Sequence, residues 1–205
     1  MSKKIALITG ITGMVGSHMA DYLLENTDWD IYGMCRWRSP LDNIEHLLTR
    51  VNNGERVYLL YGDLKDYVSL VEVINKSKPD YIFHLAAQSY PKTSFSSPLD
   101  TLDTNILGTA RLLEVAKAFR ESGSIDPVIH VCSSSEVFGR VPKEKIPIHE
   151  ATTFHPASPD AISKTGTDLI GRFYAEAYGL KTLTTRMFTH TGPRRGDVFA
   201  ESTFA

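Results

Sequence analysis

Cysteine is scarce in this chain: 205 residues hold two, Cys35 and Cys132, far apart and without metal-ligand spacing. That excludes a disulfide framework or a thiolate metal centre, and leaves two small, buried residues in a reducing compartment as the expectation. Net charge is nearly absent too, at -2. A nucleic-acid footprint or a docking face for an acidic membrane would need a clear basic excess. No apolar run approaches the roughly 18 residues of a membrane span. The charged start Met-Ser-Lys-Lys leads into a run too short for a secretory segment, so a cytoplasmic protein is expected. Repeats, low-complexity tracts and linkers are also missing, and the 42% hydrophobic content suits one sizeable core.

What is present alternates. Near-continuous apolar runs of strand length occupy residues 4–9, 30–35, 57–61, 81–86, 128–132 and 181–188. Such runs suit parallel strands covered on both faces. Helical patterns fill residues 15–26, 67–76, 99–122 and 161–178, while 41–50 is less clear. Alternating βα units imply an α/β, doubly wound parallel sheet with right-handed crossovers. The segments 99–122 and 161–178 carry more apolar surface than one sheet face needs, which predicts a homodimer or homotetramer. The chain stops at Ala205, soon after the sixth strand. A fragment is expected, with the substrate domain and most of a substrate pocket lying beyond it.

The first strand runs into Gly10-Ile-Thr-Gly13-Met-Val-Gly16, a glycine turn opening a helix. Small residues there let backbone approach a pyrophosphate while free N–H groups at the helix start point at it. A Rossmann dinucleotide fold is the expectation. Strand two ends in Cys35-Arg36-Trp37-Arg38-Ser39, where an acidic residue would instead take a ribose 2′-hydroxyl. Guanidinium groups suit a 2′-phosphate, so NADP is favoured over NAD.

Three more segments follow expected strand ends: Asp63-Leu64, His84-Leu85-Ala86-Ala87-Gln88-Ser89 and Ser133-Ser134-Ser135-Glu136. With the glycine turn, Asn43-Ile-Glu-His46 and Pro193-Arg-Arg-Gly196, the chain resembles the extended short-chain dehydrogenase/reductases, and among them the GDP-mannose 4,6-dehydratase family. The resemblance implies a cytoplasmic NADP-dependent lyase acting on a nucleotide sugar, GDP-mannose. It implies that Gly10, Thr12, Gly13, Met14, Val15, Gly16, Arg36, Asp63, Leu64, Leu85, Ala86, Ala87, Gln88 and Ser89 line the cofactor. Lys164 would hold the nicotinamide ribose, and His190 and Arg195 would close the site. Ser134 would bond the sugar C4 oxygen, and Glu136 would take the C5 proton that a C4 ketone acidifies. Ser135 stands where dTDP-glucose dehydratases place an aspartate, which favours the GDP-mannose type. A GDP-4-keto-6-deoxymannose reductase or another nucleotide-sugar epimerase shares this core and is the alternative enzyme.

One position departs from the family. Its Tyr-x-x-x-Lys motif reads Asp160-Ala-Ile-Ser-Lys164 here. A carboxylate beside a lysine is expected to ionise near or below about 4, a weak base for an alcohol and shorter than a phenol. Crippled hydride chemistry with cofactor binding kept is therefore expected. A non-catalytic dinucleotide-binding protein is the reading from another class. His84, on an apolar strand, is expected to be a satisfied core residue, and Phe173, Tyr174 and Tyr178 to be packing.

Overall fold

A computed structural model describes residues 3–196 and Phe199. Six parallel strands form one sheet: β1 (Ile5–Thr9), β2 (Asp30–Cys35), β3 (Val57–Tyr61), β4 (Tyr81–His84), β5 (Val128–Ser134) and β6 (Lys181–Met187). Their order is β3-β2-β1-β4-β5-β6, so the chain reverses direction across the sheet beside β1. Ligand crevices form at such a switch point, outside the carboxyl ends of the strands.

Alternation along each strand feeds two cores. Ala6 and Ile8 of β1 pack with Ile31, Ala20, Leu23, Ile44 and Leu47, under α1 (Met14–Asn26), a 3-10 turn at Asp42–Leu47 and α2 (Leu48–Asn53). Leu7 of the same strand faces the other way. It joins Ile82, Ile129 and Val131 beneath α3 (Tyr67–Ser77), α6 (Gly108–Glu121) and α7 (Pro159–Tyr178). Helices thus cover both faces, as continuous apolar strands require.

The expected helix over 99–122 forms as one continuous run, α5 (Pro98–Leu102), a wide helical turn at Asp103–Leu107 and α6, and a short α4 (Pro91–Ser96) precedes it. Pro98 restarts the helix at its first turn. The Asn105 carbonyl then accepts hydroxyls from Thr109 at 2.6 Å and Thr167 at 3.0 Å, bonds that widen the turn. Strand β4 is shorter than the expected 81–86. The N–H groups of Leu85 and Ala86 both go to Thr9 Oγ1 at 3.1 Å, so the ladder stops at His84.

Tyr174, Phe173 and Tyr178 form the expected packing cluster, with ring centroids 5.2–5.8 Å apart. No helix among the described residues is long and apolar enough to cross a membrane.

Candidate active site

The glycine turn sits between β1 and α1, where two of its glycines have little alternative. Gly10 adopts φ +73°, and an added Cβ would lie 2.9 Å from the Ala86 backbone. At Gly16 the same atom would meet Gly10 O at 2.3 Å, so α1 can lie against the turn only without a side chain there. Helix α1 begins at Gly13 with no capping side chain and no acidic residue in its first turn. Its first N–H groups are left for an anion in front of them. Asn43 secures the turn from outside: its Nδ2 donates to Thr12 O at 2.9 Å and to Arg194 O at 3.1 Å.

The cleft in front of this turn has a volume of about 890 Å³, ample for a dinucleotide-sized ligand. It gathers the residues expected from sequence into one place. Gly10, Thr12, Gly13, Met14, Val15 and Gly16 line the phosphate end, with Arg36, Asp63 and Leu64 beside them. Leu85, Ala86, Ala87, Gln88 and Ser89 form the next wall, while Ser134, Glu136, Asp160 and Lys164 face it with His190 and Arg195. Trp37 and Arg38 stand apart. They are exposed and do not line the cleft, and the Trp37 ring meets Tyr61 edge-on at 4.7 Å. Arg194, a second basic residue of the last motif, is held by Asp21 at 2.6 Å.

The wall from Leu85 to Ser89 is fixed by buried polar residues that sequence reading missed. Asn105 Oδ1 accepts from Gln88 N at 2.8 Å, and its Nδ2 donates to Gln88 O and to Ser163 Oγ, both at 2.8 Å. One amide therefore joins the wall to α7, the helix carrying Asp160 and Lys164. Its sequence signal was weak: a lone Asn inside a helical pattern, the place where such a residue usually bonds something. His84 is a satisfied core residue, as expected, bonded to Thr9 at 2.9 Å and Thr109 at 3.0 Å.

At the reacting end, Ser134 Oγ caps the 3-10 turn Ser135–Phe138 by accepting from Glu136 N at 3.2 Å. Ser158 caps α7 by accepting from Ala161 N at 3.0 Å, and Pro159 opens it. This places Asp160 and Lys164 on the inner side of the first helical turns, 6% and 8% exposed. The two are not hydrogen-bonded to each other among the described residues. Lys164 Nζ donates to Cys132 O at 3.1 Å, and Asp160 Oδ1 has no hydrogen-bond partner among the described residues. The expected low carboxyl pKa is corrected accordingly. Burial pushes the Asp160 carboxyl above its usual range, the Lys164 charge opposes that push, and Glu136 adds to it. Among the described residues, no group of three or more His, Cys, Asp or Glu could hold a metal ion.

A family model described as GDP-mannose 4,6 dehydratase matches residues 7–205. The chain belongs to this family. The GDP-mannose 4,6-dehydratase of Vibrio cholerae serotype O1 is 39% identical over 97% of the chain and 53% of its own length. The Homo sapiens GDP-mannose 4,6 dehydratase is 39% identical over 96% of the chain and 53% of its own length. The chain thus spans about half the length of the curated relatives it matches. In structure it is similar to the dTDP-glucose 4,6-dehydratase DesIV of Streptomyces venezuelae, solved with NAD. The TM-score is 0.84 at 27% identity, over 98% of this chain and 60% of that one. RMD of Pseudomonas aeruginosa, solved with NADPH, gives 0.74 at 29% identity, over 96% and 57%.

Proposed function

We propose that the full-length protein is a lyase of the GDP-mannose 4,6-dehydratase type, holding NADP and acting on GDP-mannose, with its hydride chemistry impaired by Asp160. One observation carries the reading: Ser134, Glu136, Asp160 and Lys164 share a single cleft with the glycine turn and the free start of α1. The donor set fits a dinucleotide. Gly10 and Gly16 leave backbone for a pyrophosphate, Arg36 after β2 would meet a 2′-phosphate, and Lys164, bonded to Cys132 O of β5, lies on the other side of β1 from it. The relatives' names and the nicotinamide cofactors of the two solved neighbours support the same assignment.

When bound, the nicotinamide would supply the hydride exchange that links C4 to C6 of the sugar. The chain's own residues do the rest. Ser134 presents a hydroxyl to the C4 oxygen, and Glu136, exposed at the cleft, is free to take the C5 proton. Lys164 orients the ribose edge from its perch on Cys132 O. Asp160 occupies the place of the family's phenol, and a carboxyl with an elevated pKa, set short of C4, makes a poor acceptor for the alcohol proton. The reading carries a cytoplasmic location with it, in keeping with the two free cysteines.

Asp160 also favours a second reading, a dinucleotide-binding protein without turnover. One variant separates the two. Asp160→Tyr in the full-length protein is expected to raise 4-keto-6-deoxy sugar formation from GDP-mannose at least about a hundredfold. Binding of NADP should change little. No keto sugar from a variant that binds both ligands would overturn the dehydratase reading.

A further inference from the structure

Two carboxyl groups face the reacting end of the cleft from opposite kinds of surroundings. Asp160 is 6% exposed, lines the cleft, and keeps Oδ1 without a hydrogen-bond partner among the described residues. Glu136 lines the same cleft but is exposed to solvent. Among the described residues, the cation acting on Asp160 is Lys164 on its own helix, and that ammonium is engaged by Cys132 O at 3.1 Å. The other charge acting on it is Glu136, from the turn after β5, and it is of like sign. A pair of carboxyls held in such different environments divides into an acid and a base.

We propose that Asp160 works as a neutral carboxylic acid which, with Glu136 as base, exchanges the proton next to the C4 ketone of a nucleotide-linked 4-keto sugar, with no hydride leaving the substrate. The proposal rests on the nucleotide-sugar reading of the cleft, but it needs no phenol and no turnover of a cofactor. The Glu136 carboxylate takes the C5 proton, and the C–H electron pair becomes a C4=C5 bond. The carbonyl π pair moves onto oxygen, which receives the Asp160 proton across one bridging water, the carboxyl being shorter than a phenol. An enol, a neutral Glu136 and an ionised Asp160 result, and nothing is oxidised or reduced. On return, Glu136 delivers a proton to C5. Because Glu136 is exposed, that proton comes from solvent.

The test supplies GDP-4-keto-6-deoxymannose to the full-length protein in D2O and follows the loss of its C5 proton signal. Exchange well above the protein-free rate is expected. Asp160→Ala should slow it at least about a hundredfold, the scale on which losing one positioned donor acts. Glu136→Gln should reduce it to background. The wild-type rate should fall on the alkaline side as Asp160 ionises, and Asp160→Ala should lose that limb, which a merely structural role would not remove. Calorimetric titration with NADP reports whether each variant keeps its fold. Background exchange from wild-type protein that binds the keto sugar would overturn the proposal, as would unchanged exchange in Asp160→Ala. Failure to bind either GDP-mannose or the keto sugar would instead overturn the functional reading beneath it, and the proposal with it.

Discussion

Thr9 Oγ1 and His84 Nδ1 meet at 2.9 Å between adjacent parallel strands, and their contact assigns every proton in a buried chain of polar groups. The Thr109 hydroxyl spends its proton on Asn105 O at 2.6 Å, so His84 Nε2 must donate to Thr109 across 3.0 Å. Nδ1 is then an acceptor, and the Thr9 hydroxyl donates to it. Thr9 oxygen in turn receives the N–H groups of Leu85 and Ala86. The imidazole is thus held neutral, and the cleft wall hangs from it.

Acid stability should reflect this. His84 is pushed down from 6.5 to about 3 by burial, with the charges of Lys164 and His130 adding to it. Between those values the unfolded chain binds a proton that the folded chain refuses. Stability is therefore complete above 6.5 and declines as pH falls toward 3, by up to roughly 1.4 kcal/mol per unit. Urea midpoints measured at pH 7 and pH 5 should differ for wild type and differ less for His84→Gln, buried His130 keeping a share of the same dependence. Nitrogen NMR should find the Nε2–H tautomer unchanged from pH 5 to pH 8, and a titrating ring would refute the assignment.

Cofactor choice should depend on Arg36. It lines the cleft at the end of β2, where no acidic residue stands. Arg36→Ala should weaken NADP by about tenfold, the size of a charge-assisted hydrogen bond at a wet site, and leave NAD affinity nearly unchanged. Calorimetric titration of both dinucleotides decides it. Arg38→Ala, away from the cleft, should leave both affinities unchanged.

Gly16→Ala should destabilise the protein by about 1–3 kcal/mol, because its methyl has only backbone to push against. Gly192→Ala is the matched control, with nothing within 4 Å of the added carbon. Thermal melting of the two variants should separate them clearly, and equal melting temperatures would count against the tight turn.

The full-length protein should sediment as a dimer or tetramer at micromolar concentration. Leu99 (79% exposed), Leu107 (51%), Ile162 (48%) and Phe173 (52%) leave large apolar side chains on the helical face formed by α5, the wide turn and α7. Phe173→Glu should shift the distribution toward monomer, and a strictly monomeric wild type would exclude the association.

Local physics explains which features sequence could reveal. Parallel strands and the glycine turn were legible because their constraints are short-range: apolar residues on both strand faces, and no room for Cβ at Gly16. The ends of elements were less so. Strand β4 stops early because Thr9, some 75 residues before it, takes its next two N–H groups. The helix over 99–122 was legible, but not the wide turn inside it, where the Asn105 carbonyl accepts from Thr167 across the fold. The Asp160 pKa failed for the same reason. Sequence placed a lysine one helical turn away, but not the Cys132 carbonyl that holds its ammonium.

The tie between Asn43, Asp21 and Arg194 has a consequence for the order of assembly. Arg194 NH1 reaches Asp21 Oδ2 at 2.6 Å across 173 positions of sequence, and its carbonyl meets Asn43 across 151. The phosphate turn leaves the ribosome well before its outer brace, which lies more than 150 positions further along the chain. Contacts of such separation form late, since a long loop must close before they are gained. A nascent chain halted before Arg194 would hold the glycine turn through Asn43 alone, without the outer brace on Asn43 and Asp21, and dinucleotide capture during synthesis should tighten once that residue has emerged.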